Sequence, residues 1–322
     1  MFKAYVFNSH LIRNTITFLY LISVFCFVSC SAEEIEEIVL DNGEVIPVTN
    51  FYEFSSRTIG ENVIYNGDNR HKGIMLTGQA HAIYNNYLFR LLHSGYCYVY
   101  DISDIDDIKF INKFELGSWA SSNHCNSAQF GNEVQPDTGF PLLYVSHTSK
   151  GILCNVEKIS LTGSETVQSI TMDNPIPIQE FIIGDDDYLW TAGCAAPGET
   201  QSIVLFQKFE RPSLEEKEAK INWANPIDGF EAIESGNSIW QGMKVYANKL
   251  YFVTGSSLRG RRDRYISVYD LNKKKKIESI DINNASDGEP EDIDFIDDGT
   301  ILLGMYGVKH AALLNFNNKI RQ

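Results

Sequence analysis

One pattern of short apolar strands and tight turns recurs five times between residue 79 and the end of the chain. Each copy has an apolar strand, a turn containing Asn or Asp, a second apolar strand, a loop and a third strand, and most copies add a fourth. Ala80, Ala128, Glu180, Gly242 and Asp292 occupy equivalent positions, so the copies are 48, 52, 62 and 50 residues apart. A repeated antiparallel unit of this length is typical of a β-propeller blade.

A single blade of this kind cannot bury both of its apolar faces, whereas a ring of blades can. We therefore predict an all-β propeller of five four-stranded blades. The last copy has no fourth strand before Gln322, so an N-terminal strand has to close the ring, with Phe51–Ser56 preferred over Gly73–Gly78. Six blades, or a β-sandwich with accidental periodicity, are the alternatives. Only residues 213–220 (SLEEKEAK) predict a short helix.

The first 30 residues have the pattern of an export signal. Lys3 and Arg13 precede an apolar run from Ile16 to Val28, which suits a signal peptide. The small residues around Cys30 resemble a bacterial lipobox, and the acidic residues that follow resemble the surface-export signal of Bacteroidetes lipoproteins. We expect a signal peptide at 1–29, lipidation of Cys30, an acidic flexible tether at 30–50 and one propeller domain at 51–322. An ordinary secretory peptide is the alternative.

Charge and cysteine content limit the partners. The chain has 27 Lys and Arg against 42 Asp and Glu, a net charge of -15, which argues against a nucleic-acid partner. Contact with a membrane is then expected through the lipid on Cys30. No C-x-x-C pair is present, so a structural zinc site of the usual spacing is not expected. Cys97 and Cys154 lie in apolar runs typical of buried free thiols, although an exported protein can form disulfides, and the sequence assigns no pairing.

Propeller threading gathers distant polar residues at one face, because the start of each first strand and the loop between strands two and three lie on the same side. We call this face the mouth. The strand starts are expected to bring to it Gln79, His81, His124, Asn126, Gln179, Glu180, Trp240, Gln241, Glu289, Glu291 and Asp292. The loops are expected to bring His93, His147, Lys150, residues 193–200, Arg259, Arg261, Arg262, Arg264 and His310.

Five of the six histidines that follow the signal segment map to the mouth, which predicts a ligand site there. His81 and His124 are candidate ligands of a divalent metal. Glu180 and Glu291 are a candidate acid and base pair for a glycosidic bond. The remaining candidate ligand-binding residues are Gln79, Asn126, Gln241, Arg259 and Arg262. The structural alternative is that each histidine bonds only to neighbouring loops.

Several short motifs resemble those of the propellers found in teichoic-acid-biosynthesis-type proteins and phage receptor-binding proteins. The motifs are His124-Cys-Asn126, Gln241-Gly242 and Glu289-Pro-Glu291-Asp-Ile293, within a resemblance that spans roughly residues 75 to 317. The resemblance implies a propeller that handles or recognises a glycopolymer, with His124, Asn126, Gln241 and Glu291 at the mouth.

The sequence thus leaves three hypotheses for function. The first is a surface-exposed outer-membrane lipoprotein whose propeller binds an extracellular glycan or glycopolymer at the mouth. The second is a glycoside hydrolase or polysaccharide lyase at the same mouth, with or without a divalent metal. The third is a protein-interaction propeller. No nucleotide-binding loop, G-x-S-x-G or H-E-x-x-H motif is present.

Overall fold

A computed structural model of the chain describes residues 37–39, 45–47, 55–59, 78–147, 153–173, 178–194, 203–234, 240–255, 264–283, 285, 288–297, 300–306 and 311–315. The chain divides into two units, Met1–Thr49 and Asn50–Gln322. In the first unit, β1 (Glu37–Val39) and β2 (Val45–Pro47) form an antiparallel pair inside the predicted tether. Asn42-Gly43 separates their β-branched residues in the sequence, a pattern typical of hairpins.

The second unit consists of five antiparallel blades, which confirms the predicted propeller. Blade 1 contains β4 (Ala80–Tyr84), β5 (Tyr87–Leu92), β6 (Tyr96–Asp101) and β7 (Lys109–Glu115). Blade 2 contains β8 (Ala128–Val134), β9 (Pro141–His147), β10 (Leu153–Ile159) and β11 (Ser164–Asp173). Blade 3 contains β12 (Ile178–Ile183), β13 (Leu189–Cys194), β14 (Ile203–Phe209) and β16 (Asp228–Ile233). Blade 4 contains β17 (Trp240–Tyr246), β18 (Lys249–Thr254), β19 (Tyr265–Asp270) and β20 (Lys275–Asp281). Blade 5 contains β21 (Glu289–Asp297), β22 (Thr300–Tyr306), β23 (Ala311–Asn315) and β3 (Ser55–Ile59).

The ring closes in blade 5, where the N-terminal strand β3 pairs with the last strand β23. The ladder runs from the Ile59–Ala311 pair to the Ser55–Asn315 pair. Closure by an N-terminal strand is as predicted, but the strand begins later than the expected residues 51–56. The aromatic residues at 51–54 suggested the earlier position, whereas the backbone pairs lie at residues 55–59.

Blade 2 has a fifth strand, β15 (Glu218–Asn222), which comes from the connection between β14 and β16 and lies parallel to β11. The prediction of a helix over residues 213–220 is therefore wrong. Side chains of β15 alternate between buried and exposed, and Ala219 and Ile221 pack in the core, which is the two-residue period of a strand. This insertion accounts for the long third repeat of the sequence.

The hydrophobic core forms five clusters, one between each pair of neighbouring blades. Between blades 1 and 2, for example, the ring of Phe89 lies edge-on to Phe130 and Phe140 at centroid distances of 5.3 and 5.2 Å. Full burial of a phenylalanine side chain stabilises a fold by about 1.5–3 kcal/mol. Each sheet is apolar on both faces because both faces pack against other blades.

A buried carboxylate also joins blades 1 and 2. Glu157 of β10 accepts hydrogen bonds from the backbone N–H groups of Gly117 and Ser118, which follow blade 1. It also accepts bonds from the hydroxyl groups of Ser164 and Thr166 in its own blade. Four donors compensate the burial of this charge, so Glu157 links the two blades. Within the described part of the chain, no helix is long and apolar enough to cross a membrane.

Candidate functional site

The strand ladders show which residues share the mouth. The first residue of each first strand lies beside the end of the second strand, as in the Ala80–Leu91 and Glu289–Tyr306 pairs. His81, His93, His124 and His147 all belong to segments at this face. Lys150, residues 195–200, Arg259, Arg261, Arg262 and His310, like Cys30, lie outside the described residues.

Lys244 lies at the centre of the ring and contacts three blades besides its own. From blade 4, its ammonium group donates to the carbonyl oxygens of His81 in blade 1, at 3.2 Å, and of Ala128 in blade 2. It also lies 3.9 Å from Asp292 Oδ2 and 3.6 Å from Asp294 Oδ2 in blade 5. The side chain is almost fully buried, so this cluster is a structural link between the innermost strands.

The two aspartates of this cluster also satisfy backbone groups on the inner edge of blade 1. Asp292 Oδ2 accepts a bond from the His81 N–H at 3.1 Å, and Asp294 Oδ2 accepts one from the Ile83 N–H at 2.7 Å. Burial raises the pKa of Asp292 to about 7, against the opposing attraction of Lys244. The innermost strand of each blade has one edge whose backbone groups do not pair with another strand. The side chains of Asp292 and Asp294 bond to two of these groups in blade 1.

His81 lies below the mouth and not in it. Its side chain is fully buried, and its Nε2–H donates to the Leu302 carbonyl oxygen at 3.1 Å. Burial, with Arg90 and Lys244 nearby, holds the pKa of His81 well below its usual value, so the ring is neutral. These contacts do not favour His81 as a metal ligand. Among the described residues, no group of three or more His, Cys, Asp or Glu side chains is arranged to hold a metal ion. Metal binding by His81 and His124 stays a prediction.

A chain of polar contacts leads from the surface to Glu180. The exposed ring of His93 lies edge-on to His124 at a centroid distance of 4.7 Å. His124 Nδ1 hydrogen-bonds to Asn126 Oδ1, and Asn126 Nδ2 donates to Glu180 Oε1 at 3.2 Å. The Ser127 hydroxyl donates to the other oxygen of Glu180. The structure thus brings together predicted residues from blades 1, 2 and 3.

Burial sets the protonation of this chain. It raises the pKa of Glu180 well above the usual value, although the bonds from Ser127 and Asn126 oppose the change. It lowers the pKa of His124, which the bond to Asn126 partly offsets. At neutral pH, His124 is therefore an uncharged ring, and burial favours the protonated form of Glu180.

Two residues with left-handed backbone conformations flank this chain. Ser94 has φ 70° and Cys125 has φ 54°, which is unfavourable for residues with a Cβ. The Ser94 N–H donates to the Asn123 carbonyl oxygen at 2.8 Å, and the Cys125 N–H donates to Asn123 Oδ1 at 3.0 Å. These bonds hold the His93 and His124 loops together. Strain of this kind is common at functional sites.

A second cluster of polar residues lies where blades 4, 5 and 1 meet. Gln241 Nε2 donates to Glu289 Oε1 at 3.1 Å. Glu291 is 6% exposed, and burial raises its pKa to about 9. The charges of Glu289, Glu180 and Asp292 raise that pKa further, while Arg90 opposes the change. Glu180 and Glu291 are therefore close enough to influence each other, and Glu291 is protonated at neutral pH.

Arg90 is the main residue that the sequence did not point to. It is only 1% exposed, and its Nη1 donates to the Ala80 carbonyl oxygen at 3.3 Å. Its Nε and Nη2 have no hydrogen-bond partner, and no carboxylate of the described residues forms an ion pair with it. Burial lowers the pKa of Arg90 to about 10. The sequence signal that could have indicated Arg90 is a single basic residue inside an otherwise apolar strand, YLFRLL. Lys244 in the strand WQGMKVY shows the same pattern.

Predicted mouth residue Gln79 is also almost fully buried, and its side-chain Oε1 has no partner. His147 accepts a bond from Asn155 Nδ2 at 2.7 Å, and burial lowers its pKa to about 4. Cys97, Cys125 and Cys154 are buried free thiols, as the sequence favoured for Cys97 and Cys154. His147 therefore has a structural contact, and Gln79 keeps an unused acceptor.

Exposed aromatic rings lie at the same face, and the sequence analysis missed them. Trp119 is 42% exposed and packs edge-on to Tyr96 at 6.3 Å, next to the His93 loop. Tyr306, at the end of β22 and paired with Glu289, is 56% exposed. Both rings flank the buried polar groups, so the mouth combines flat apolar surfaces with hydrogen-bonding groups.

Comparisons with known proteins give no family and no function. The chain matches no protein-family profile and no curated protein. A solved structure of a protein of unknown function from Bacteroides caccae is similar at a TM-score of 0.39, with 8% sequence identity, over 70% of this chain and 69% of that chain. A likeness at this level carries no argument about activity, and the resemblance suggested by the short motifs stays an interpretation.

Proposed function

We propose that the propeller binds a glycan at its mouth. The observation that carries the proposal is the pairing of two exposed aromatic rings, Trp119 and Tyr306, with polar groups that include Glu289 and the His124 chain. Aromatic faces offer a flat apolar surface to the C–H groups of a sugar ring. Amide, imidazole and carboxyl groups beside them can bond to sugar hydroxyls.

Rigid loops support the same proposal. The His93 and His124 loops are fixed by hydrogen bonds to Asn123, and Glu180 is fixed by Asn126 and Ser127. A site held in place before binding loses little conformational entropy when the ligand arrives.

A glycan array followed by calorimetry with the purified protein tests the proposal. We expect Trp119→Ala and Tyr306→Ala each to weaken binding by about tenfold, a loss of about 1.4 kcal/mol. Ile227→Ala is the matched control, because Ile227 is exposed at the opposite face, before β16. If Trp119→Ala and Tyr306→Ala both bind with wild-type affinity, or if no glycan binds at all, the proposal is contradicted and a protein-interaction propeller is favoured.

The coupled carboxyl groups favour a second candidate, a glycoside hydrolase or polysaccharide lyase at the same mouth. A glycoside hydrolase needs a general acid that stays protonated at neutral pH, and burial keeps Glu291 in that form. If the protein is an enzyme, Glu291→Gln should abolish cleavage of a polysaccharide and keep binding. If no polysaccharide of a broad panel is cleaved, binding alone remains.

We further propose that the chain is a surface-exposed outer-membrane lipoprotein anchored through Cys30. The support is the apolar run Ile16–Val28 followed by Cys30 and an acidic segment. Metabolic labelling with a fatty acid should mark the wild type and not Cys30→Ala. Protease treatment of intact cells should remove the propeller if it faces the medium and leave it if it faces the periplasm.

A further inference from the structure

The unpaired guanidinium group of Arg90 is the feature of the site that the binding of a neutral sugar does not explain. A buried charge is normally paired with an opposite charge, because removing it from water is costly. Arg90 has instead one bond to a backbone carbonyl oxygen, and two of its nitrogen atoms are buried without a partner.

The surroundings of Arg90 leave space for its planar group. A Cβ atom on Gly304 would lie 3.0 Å from Arg90 Nη1, and one on Gly78 would lie 2.9 Å from Nη2. Both glycines therefore allow the guanidinium group to lie at the junction of blades 1 and 5. Tyr306, two residues after Gly304, is the exposed ring at the same junction.

The charges around Glu291 explain why Arg90 lacks an internal partner. The groups that act on the Glu291 carboxyl are Glu289, Arg90, Glu180 and Asp292. Glu291, with a pKa of about 9, is protonated at neutral pH and supplies no negative charge to Arg90, and burial favours the protonated form of Glu180 as well. Asp292 is already bonded to the His81 N–H and lies near Lys244. The junction thus has a positive charge without an ion-pair partner among the described residues and a carboxyl group able to donate a hydrogen bond.

We propose that the ligand is an acidic glycan, and that a sugar carboxylate binds at the junction of blades 1 and 5 through Arg90 and Glu291. The inference rests on the proposed glycan-binding function and narrows its ligand class. The carboxylate accepts a hydrogen bond from Glu291, which is 6% exposed, and interacts with the buried Arg90 chiefly through charge. The ring of the same sugar packs on Tyr306.

The test compares each acidic oligosaccharide with its neutral methyl ester by calorimetry. The probes are oligomers of galacturonate, glucuronate and mannuronate, each paired with its ester. We expect at least one acid to bind at least tenfold more tightly than its ester at pH 7. Arg90→Met should remove this preference, and Arg211→Met should keep it, because Arg211 follows β14 at the opposite face.

The pH dependence gives a readout that holds if Arg90→Met does not fold. Glu291 loses its proton as the pH rises through about 9, and its charge then repels the carboxylate. Acid binding to the wild type should weaken progressively between pH 8 and 9.5. Glu291→Gln, which stays neutral and keeps a donor, should show no decline in this range and should weaken only as the pH nears the pKa of Arg90, about 10.

The outcomes separate the two proposals. Equal binding of acids and esters, sensitive to Trp119→Ala, overturns the acidic-ligand inference and leaves glycan binding intact. An equal decline between pH 8 and 9.5 in the wild type and in Glu291→Gln also overturns the inference. If none of these probes binds and the glycan array is negative, the proposed function fails, and the inference fails with it.

Discussion

Removal of the Lys244 ammonium group should weaken the ring more than any other single change of a charged residue described here. In Lys244→Met, Asp292 and Asp294 lose their shared partner, and the carbonyl oxygens of His81 and Ala128 lose a donor. Removing one member of a buried ion pair costs about 3–5 kcal/mol. Since domains have stabilities of about 5–15 kcal/mol, this loss should be a large part of the total.

Urea unfolding followed by tryptophan fluorescence measures the effect. The matched control is Lys109→Met, because Lys109 forms an exposed pair with Asp107 at 3.4 Å and should contribute less than about 1 kcal/mol. The triple variant Lys244→Met/Asp292→Asn/Asp294→Asn should recover part of the loss, because the two acidic groups left without Lys244 are then neutral amides. A Lys244→Met protein within about 1 kcal/mol of the wild type would refute the assigned role of Lys244.

Three further predictions concern stability. Glu291→Gln should reduce a pH dependence: the folded-state pKa of about 9 lies above the unfolded value near 4.3, so Glu291 lowers stability by about 1.4 kcal/mol per pH unit between about pH 5 and 9. Asp292, with a pKa of about 7, and Glu180 keep their own contributions in both proteins, so urea unfolding at pH 5, 7 and 9 should show a slope that is smaller in Glu291→Gln by about that amount. Glu157→Ala should lower the unfolding free energy by about 3 kcal/mol or more, since it leaves four donors without their acceptor, and an unchanged urea midpoint would contradict the interblade link. Gly304→Ala should lower the thermal midpoint, because the added Cβ would lie 2.7 Å from His81 Nδ1, whereas Gly163→Ala meets nothing within 4 Å and should leave it unchanged.

The sequence predicted the propeller because its signal is repetitive. The starts of the blades at Ala80, Ala128, Glu180, Gly242 and Asp292 all lie in first strands of the structure. Each blade buries both faces, so the apolar pattern had to appear in every copy. Local exceptions were harder to see, and the strand β15 was mistaken for a helix because its charged residues suggested a helical surface.

The site was predicted at the level of the face and less well at the level of side chains. The mapping brought His124, Asn126 and Glu180 to one region, and the structure connects them by hydrogen bonds. It did not foresee that His81 is fully buried, because burial depends on how a neighbouring blade packs. Arg90 went unnoticed for the same reason, since a single basic residue in a strand does not reveal whether it has a partner.

Exposed aromatic rings present a similar difficulty for sequence analysis. Trp119 and Tyr306 look like core residues in a chain with many aromatic strands, and only the packed ring shows that they remain accessible at the mouth. In physical terms, the pattern along a strand fixes the alternation of faces, while the contacts between blades decide which polar and aromatic groups remain unsatisfied or exposed.

Hydrogen exchange in the presence and absence of the tightest-binding glycan tests the central claim most directly, because it reports which face of the ring the ligand covers. We expect added protection at residues 93–96, 119–126 and 304–306, all at the mouth. The hairpin turns at the opposite face, such as residues 134–140 and 271–274, should not change. Protection confined to that opposite face, or spread evenly over both faces, would contradict the proposal that the mouth is the binding site.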